Sequence, residues 1–418
     1  MDFFEYKNGE LFAEDVPVER IAREVGTPAY IYSLATLRRH FRVFDQAFKK
    51  QSHLVCFSVK ANSNLAVLRV FVKEGGGFDI VSGGELFRVL KAGSDPKKVV
   101  FSGVGKSRNE IEYALNSGIL MFNVESAQEL DLLDQVARGM GKKAPISLRV
   151  NPDVNPQTHP YISTGMKKSK FGIDIKRSVE QYKRALSLSH VEVIGVACHI
   201  GSQLTSVSPF VDALARVKDF MEVLKQEGAN IRYLDLGGGL GIRYKDEEPP
   251  HPEEYAAAII DTLKGLEVTL ILEPGRVIVG NAGILVTEVL YLKETQEKKF
   301  VVVDGAMNDL IRPALYGSHQ GINPVKTRAG DKIVADVVGP ICESSDFFAL
   351  DREIQKPQPG DLLAVMGAGA YGFTMASNYN SRPRVPEVLV DEQRFHIIRT
   401  RETFDDLISR EVIPPVLE

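Results

Sequence analysis

The stretch "HLVCFSVKANSNLAVLRVFVKEGGGFDIVS" (residues 53–82) sets the pattern that most of the chain repeats. It opens on an apolar run rich in β-branched residues, HLVCFSVK (53–60), and passes polar residues into a segment of helical periodicity. Three glycines end that segment before a second run, GFDIVS (77–82). The same beat recurs in KVVFSG (98–103), ILMFNVE (119–125), PISLRVN (145–151), VEVIGVACHI (191–200), IRYLDLGGG (231–239) and VTLILEPG (268–275). Amphipathic segments such as SRNEIEYALNSG and SAQELDLLDQVARGMG stand between the runs, with a start-type polar residue in front and glycine near the end. Eight such beats predict a closed (β/α)8 TIM-type barrel; an open doubly wound sheet more often stops at five or six strands.

The beat is interrupted between the fifth strand and its helix by segment 152–175, a long loop expected on the active-site face. After Gly275 the pattern changes. VIVG, GILVTEVLYL, KKFVVVDG, DKIVADVVG, DLLAVMGAGA and EVLVD are strand-like runs split by turn residues, so residues 277–418 are expected to form a β-rich second domain, barrel-like or sandwich-like. Residues 1–32, with the Asn8-Gly9 hairpin signal and the run PAYIYS, are expected to join it, leaving 33–276 for the barrel. A chain of 418 residues exceeds the roughly 250–300 at which one core stops growing, which agrees with two domains.

The charge balance, 51 basic against 55 acidic side chains, offers no basic field for nucleic acid or an anionic membrane. No apolar run approaches the roughly 20 residues of a membrane span, and the N-terminus has no leader pattern, so a cytoplasmic location is expected. Cys56, Cys198 and Cys342 are scattered, with no disulfide framework or metal-site spacing.

In a (β/α)8 barrel the C-terminal ends of the strands carry the chemistry. Here those ends supply Lys60; Asp79, with Ser82 and Glu85 beyond it; Arg149 and Asn151; His199 and Ser202; Gly237, Gly238 and Gly239; and Glu273, Gly275 and Arg276. Each alone has an ordinary explanation as a solvated strand end, a packed histidine or a turn. Together they suggest a site. Glycines after the seventh strand let backbone N–H groups approach an anion in the fold's recurring phosphate region. GGGLG lacks the spacing of a dinucleotide fingerprint. A phosphate site, a lysine and a carboxylate around one mouth suit pyridoxal phosphate, which needs a lysine for its imine and a partner for its ring nitrogen.

The motifs FSVKAN, FDIVSGGEL, HIGSQ, LDLGGGLG, EPGR, GPICESSD and GAYGFTMASNYN, in this order, closely resemble those of the diaminopimelate decarboxylases. These are alanine-racemase-like (fold-type III) pyridoxal phosphate enzymes, as are the ornithine decarboxylases. The resemblance spans about residues 25–400. It implies that Lys60 bears the cofactor, His199 stacks on its ring and Glu273 takes the ring nitrogen. It further implies that Ser202, Gly237 to Gly239, Gly275 and Arg276 hold the phosphate, with Asp79 and Arg149 also lining the cofactor. Cys342 matches a proton-donating cysteine, Glu343 a substrate-recognition carboxylate, and Tyr371 a tyrosine reaching cofactor and substrate. The first two come from the neighbouring subunit in that family, which implies a homodimer. Arg276, Arg312 and Tyr316 of the RPALY segment would hold the distal end of meso-diaminopimelate, since an arginine fork suits a carboxylate. The implied reaction releases CO2 and L-lysine. The rivals are a decarboxylase acting on ornithine, arginine or a carboxylated polyamine, an amino-acid racemase, a non-catalytic pyridoxal phosphate-binding module and a structural phosphate-binding barrel.

Overall fold

The computed structural model describes residues 2–154 and 170–417. Most of the long loop of segment 152–175, including its STGMKKS run, lies outside the described residues. The chain divides into two compact units, Arg38–Ile278 and a second made of Met1–Leu37 with Val279–Glu418.

Among the described residues, the first unit holds eight parallel strands: β1 (His53–Ser58), β2 (Gly77–Ile80), β3 (Val99–Phe101), β4 (Met121–Val124), β5 (Ala144–Asn151), β6 (Val191–Ala197), β7 (Tyr233–Asp235) and β8 (Thr269–Leu272). Each pairs with the next and β8 pairs back to β1, so the barrel is closed, as the sequence predicts. The helices start where the sequence signals them. Ser82, Ser107 and Ser126 each accept the N–H three residues on, and Ser107 with Glu110 completes a capping box. Gly118 closes the helix Arg108–Ser117 in the left-handed region, at φ 70°. Within the broken beat, Ile173–Asp174 adds a short parallel pairing to the end of β5.

The barrel interior is layered. Cys56, Val100, Met121, Ile194 and Ile271 form a buried apolar cluster. Because side chains on a strand repeat every two residues, Ser58 and Asn123 point the same way as Cys56 and Met121, one step nearer the C-terminal mouth. Asp79, Ser147 and Asp235 sit beside them in register, opposite Ser58, Asn123 and Ala197 respectively. All of these polar residues are buried. A buried polar layer costs free energy unless it is hydrogen-bonded, which marks where function has displaced packing.

The second unit is a mixed sheet in the order 347–355, 332–338, 299–303, 283–294, 29–33, 387–391, 394–399, with 362–365 also paired to 283–294. Strand Ala29–Ser33, the PAYIYS run, lies antiparallel to 283–294 and parallel to 387–391. The Asn8-Gly9 pair turns a hairpin between Phe4–Lys7 and Glu10–Ala13, both residues having positive φ (51° and 81°) as a primed turn requires. Ile31, Ile284, Val286, Ala364 and Val388 share one buried cluster with Leu11, Val16 and Ile21. One expectation fails: VIVG is not a strand, because Arg276–Val279 forms a helical turn closed by the Ile278 N–H on the Gly275 carbonyl. Three β-prone residues followed by a glycine are too weak a signal to prevail over the turn that the Gly275 carbonyl nucleates.

Candidate active site

Lys60 lies just past β1 in the short 3-10 turn Val59–Ala61, and its Nζ is 2.7 Å from Asp79 Oδ2. Asp79 is fully buried, and its second oxygen, Oδ1, has no hydrogen-bond partner. The Ser58 hydroxyl stands 2.9 Å from both Asp79 Oδ2 and the Glu273 carbonyl, joining the ends of β1, β2 and β8.

Across the mouth, Gly237, Gly238 and Gly239 follow β7. Gly237 has φ 66° and Gly239 φ 119°, and a Cβ on Gly238 would stand 2.2 Å from the Glu273 carbonyl oxygen. These glycines are therefore needed for strand-end packing as well as for anion approach. Two of the amides are engaged within the protein: Gly237 N–H donates to Asp235 Oδ1 (2.8 Å) and Gly238 N–H to His199 Nδ1 (3.2 Å). The second bond fixes the His199 tautomer, with the proton on Nε2. Burial, with Arg149 and Lys60 nearby, pushes the His199 pKa well below its ordinary value, so the ring is neutral. Arg276 is buried and donates to the Ser202 hydroxyl (3.1 Å) and the Tyr244 hydroxyl (2.8 Å).

Arg149 is held by Glu125, whose Oε1 accepts from Arg149 Nη1 at 2.8 Å and from Gly103 N–H at 3.1 Å. The other Glu125 oxygen accepts from Gly172 N–H at 2.9 Å. One carboxylate thus ties the end of β5 to the chain returning from the long loop. Glu85 accepts from the Val81 N–H, and burial raises its pKa to about 7. Lys60, Asp79, Arg149, His199, Ser202, the glycine turn, Glu273, Gly275 and Arg276 thus all belong to one unit and cluster at the strand ends. Glu125, Asn123, Asp235 and Ser58 were not singled out from the sequence. Alternation places them on inward faces, but nothing in the strings NVE and LDLGGG separates inward from outward.

The remaining candidates belong to the second unit, on loops bound to one another. Asp346 accepts the N–H groups of Met307 and Ile341, both at 2.7 Å, and Asn380 Oδ1 accepts the Cys342 N–H at 2.8 Å. Ser377 N–H donates to the Asn308 carbonyl, and Arg382 to that of Asp304. The Cys342 thiol is exposed, as is Glu343; the cysteine is not the buried small hydrophobe that is the ordinary role of a free thiol. Tyr371 has φ 56°, a left-handed conformation costly for a tyrosine. Arg312 and Tyr316 bound the short helix Arg312–Tyr316; Arg312 is buried, and Gln320, with its amide turned to suit, accepts from Nη1 at 2.7 Å.

A family described as "pyridoxal-dependent decarboxylase, pyridoxal binding domain" matches residues 34–280. The diaminopimelate decarboxylase of Pseudomonas aeruginosa is 55% identical over 415 residues, covering 99% of this chain and all of the relative. That of Aquifex aeolicus is 50% identical, covering 97% of each chain. This chain belongs to the diaminopimelate decarboxylase family. Among solved structures, the diaminopimelate decarboxylase from m. jannaschii in co-complex with L-lysine superposes with a TM-score of 0.95 at 42% identity. It covers 100% of this chain and 99% of that one. The Helicobacter pylori enzyme complexed with L-lysine gives 0.91 at 42% identity, covering 94% and 98%.

The residues present fit pyridoxal phosphate, the cofactor of this family. The mouth offers a lysine amine beside a buried carboxylate with one oxygen unsatisfied, a neutral imidazole, a glycine turn too tight for any Cβ, and a buried carboxyl at the end of β8.

Proposed function

We propose that this enzyme removes the carboxylate from the D-centre of meso-2,6-diaminopimelate, releasing CO2 and L-lysine in the last step of lysine biosynthesis. It is a pyridoxal phosphate-dependent carboxy-lyase. The observation that carries this is the gathering of Lys60, Asp79, His199, Glu273 and the Gly237–Gly239 turn at one barrel mouth, in a chain of this family. Pyridoxal phosphate, when bound, supplies an electron sink for the electron pair left behind by CO2.

The chain's own groups do the rest. Lys60 holds the cofactor, and Asp79 keeps its amine at the mouth. Neutral His199 lies on the ring face, since an uncharged imidazole can stack where a cation would be repelled by a pyridinium. Ser202, the glycine turn and the backbone of Gly275 and Arg276 take the phosphate, Glu273 takes the ring nitrogen, and Arg149, fixed by Glu125, borders the ring. The second unit would supply Cys342, whose Sγ–H would serve as the proton donor to the substrate. Tyr371 reaches cofactor and substrate. Arg276, Arg312, Tyr316 and Glu343 would hold the distal amino-acid head and so orient the carboxylate that is lost. The exposed loop placement of Cys342 and Glu343 supports a shared site in which these two residues serve the partner copy of a homodimer, working in the cytoplasm. Among the described residues no helix is long and apolar enough to cross a membrane.

The test offers the holoenzyme meso-diaminopimelate, ornithine, lysine and arginine in parallel and measures CO2 and the amine product. Release from meso-diaminopimelate alone is expected; equal release from ornithine would overturn the substrate assignment.

A further inference from the structure

Behind the mouth lies a second carboxyl that the proposed reaction does not use. Asp235, at the end of β7, is 1% exposed, and its carboxyl is hydrogen-bonded to that of Glu273. Two carboxyls can bond in this way only when at least one of them is protonated. Asp235 has further ties. Its Oδ1 accepts the Gly237 N–H at 2.8 Å, and its Oδ2 accepts from Asn123 Nδ2 at 2.8 Å. Asn123 Nδ2 also lies 3.4 Å from Glu273 Oε1 and 3.0 Å from the Ser102 hydroxyl, while its Oδ1 accepts from Ser147. One side chain therefore spans the glycine turn and the ring-nitrogen carboxyl.

We propose that Asp235 is a positioning residue for the cofactor's ring nitrogen, acting through Glu273: it fixes that carboxyl relative to the phosphate turn and supplies a second negative charge behind it. This rests on the pyridoxal phosphate reading above. A cation at the ring nitrogen draws both carboxyls toward ionisation, and Asp235 adds its attraction at a distance where no solvent screens it. Burial raises both acids, Asp235 to about 6 and Glu273 well above the usual carboxylate range, so without a cation one proton stays between them. The other groups facing the pair are Asp79 from β2, Lys60 beyond β1, Cys56 within β1 and Cys198 beyond β6, with Arg149 of β5 behind Cys198. The Lys60 ammonium acts on Glu273 in the opposite sense to the carboxyls, lowering its pKa.

The test follows the 15N shift of ring-labelled pyridoxal phosphate in the holoenzyme across pH, for wild type and Asp235→Asn. Asparagine retains an oxygen for the Gly237 N–H but carries no charge, so a purely structural role would leave the titration where it is. The midpoint for loss of the ring proton is expected to fall by about one pH unit or more. If Asp235→Asn does not fold, Asn123→Ala replaces it: without that donor Asp235 keeps the shared proton more often, and a smaller fall in the same direction is expected. A variant titration that superimposes on wild type overturns the proposal. A wild-type chain that takes up no cofactor, read from its visible absorbance, overturns instead the reading on which the proposal rests.

Discussion

The two units hold their functional residues by different means. In the barrel, side chains are placed by strands: alternation aims them inward, register sets their neighbours, and the closed hydrogen-bond ladder leaves little freedom. In the second unit Cys342, Glu343 and Tyr371 ride on loops whose shape depends on a few side-chain bonds, chiefly those of Asp346 and Asn380. The barrel groups would bind and polarise the cofactor, which rewards rigidity. The loop groups would meet substrate, and a loop can be reshaped without disturbing a core.

If that division is right, damage to each unit has its own signature. The largest effect is expected for Lys60→Ala, which removes the amine paired with Asp79: CO2 release falls by more than about 10⁴-fold and the visible absorbance of the holoenzyme disappears. Cys342→Ala is expected to slow turnover by about 10²–10⁴-fold, the usual worth of a positioned proton donor, with the absorbance unchanged. If this variant loses the absorbance too, the two units do not divide the labour in this way. Asp346→Ala sharpens the contrast further. It strips the buried Ile341 N–H, at about 1–3 kcal/mol, and the half-buried Met307 N–H of their acceptor, and disorders the Cys342 turn while leaving the barrel alone. KM for the substrate is expected to rise about tenfold, with cofactor affinity measured by fluorescence titration unmoved.

The same contrast governs how much could be read from sequence. All eight barrel strands are visible in the string, because buried parallel strands are continuous apolar runs. The site residues at their ends follow from the fold alone. What escaped were Asn123, Glu125 and Asp235, inward-facing polar residues whose one-letter codes look like those of any solvated position. In the second unit the unmarked strands are Phe347–Gln355 and Arg394–Arg399, the two ends of the sheet, and the short Val16–Pro17 and Ile322–Pro324. Edge strands carry charge and exposed positions, so DREIQ and RFHIIR lack the apolar signal. The positive φ of Tyr371 leaves no trace in sequence, and the roles of Cys342 and Glu343 were reached only through family resemblance.

The smallest expected effect concerns stability and places a buried acid in the second unit beside those of the barrel. Asp309 is 1% exposed, accepts the Ala306 N–H at 3.0 Å, and burial raises its pKa from 3.8 to about 7. The folded chain holds this proton more tightly than the unfolded one, so its contribution is fully present below about pH 4 and is lost as pH rises through about 7. Over that window one such group changes stability by at most about 1.4 kcal/mol per pH unit. Asp309→Asn keeps an oxygen for the Ala306 N–H and cannot ionise, so its melting temperature is expected to decline less than wild type between pH 5 and pH 8. The Asp235–Glu273 pair should contribute a drift of the same sign in the barrel, but one that bound cofactor cancels by supplying a cation. Thermal melts with and without pyridoxal phosphate therefore separate the two: the cofactor-dependent part belongs to the barrel, and the part abolished by Asp309→Asn belongs to the second unit. A pH drift untouched by Asp309→Asn would mean that the second unit relaxes to let water reach this carboxylate, and that its loops are softer than their hydrogen bonds imply.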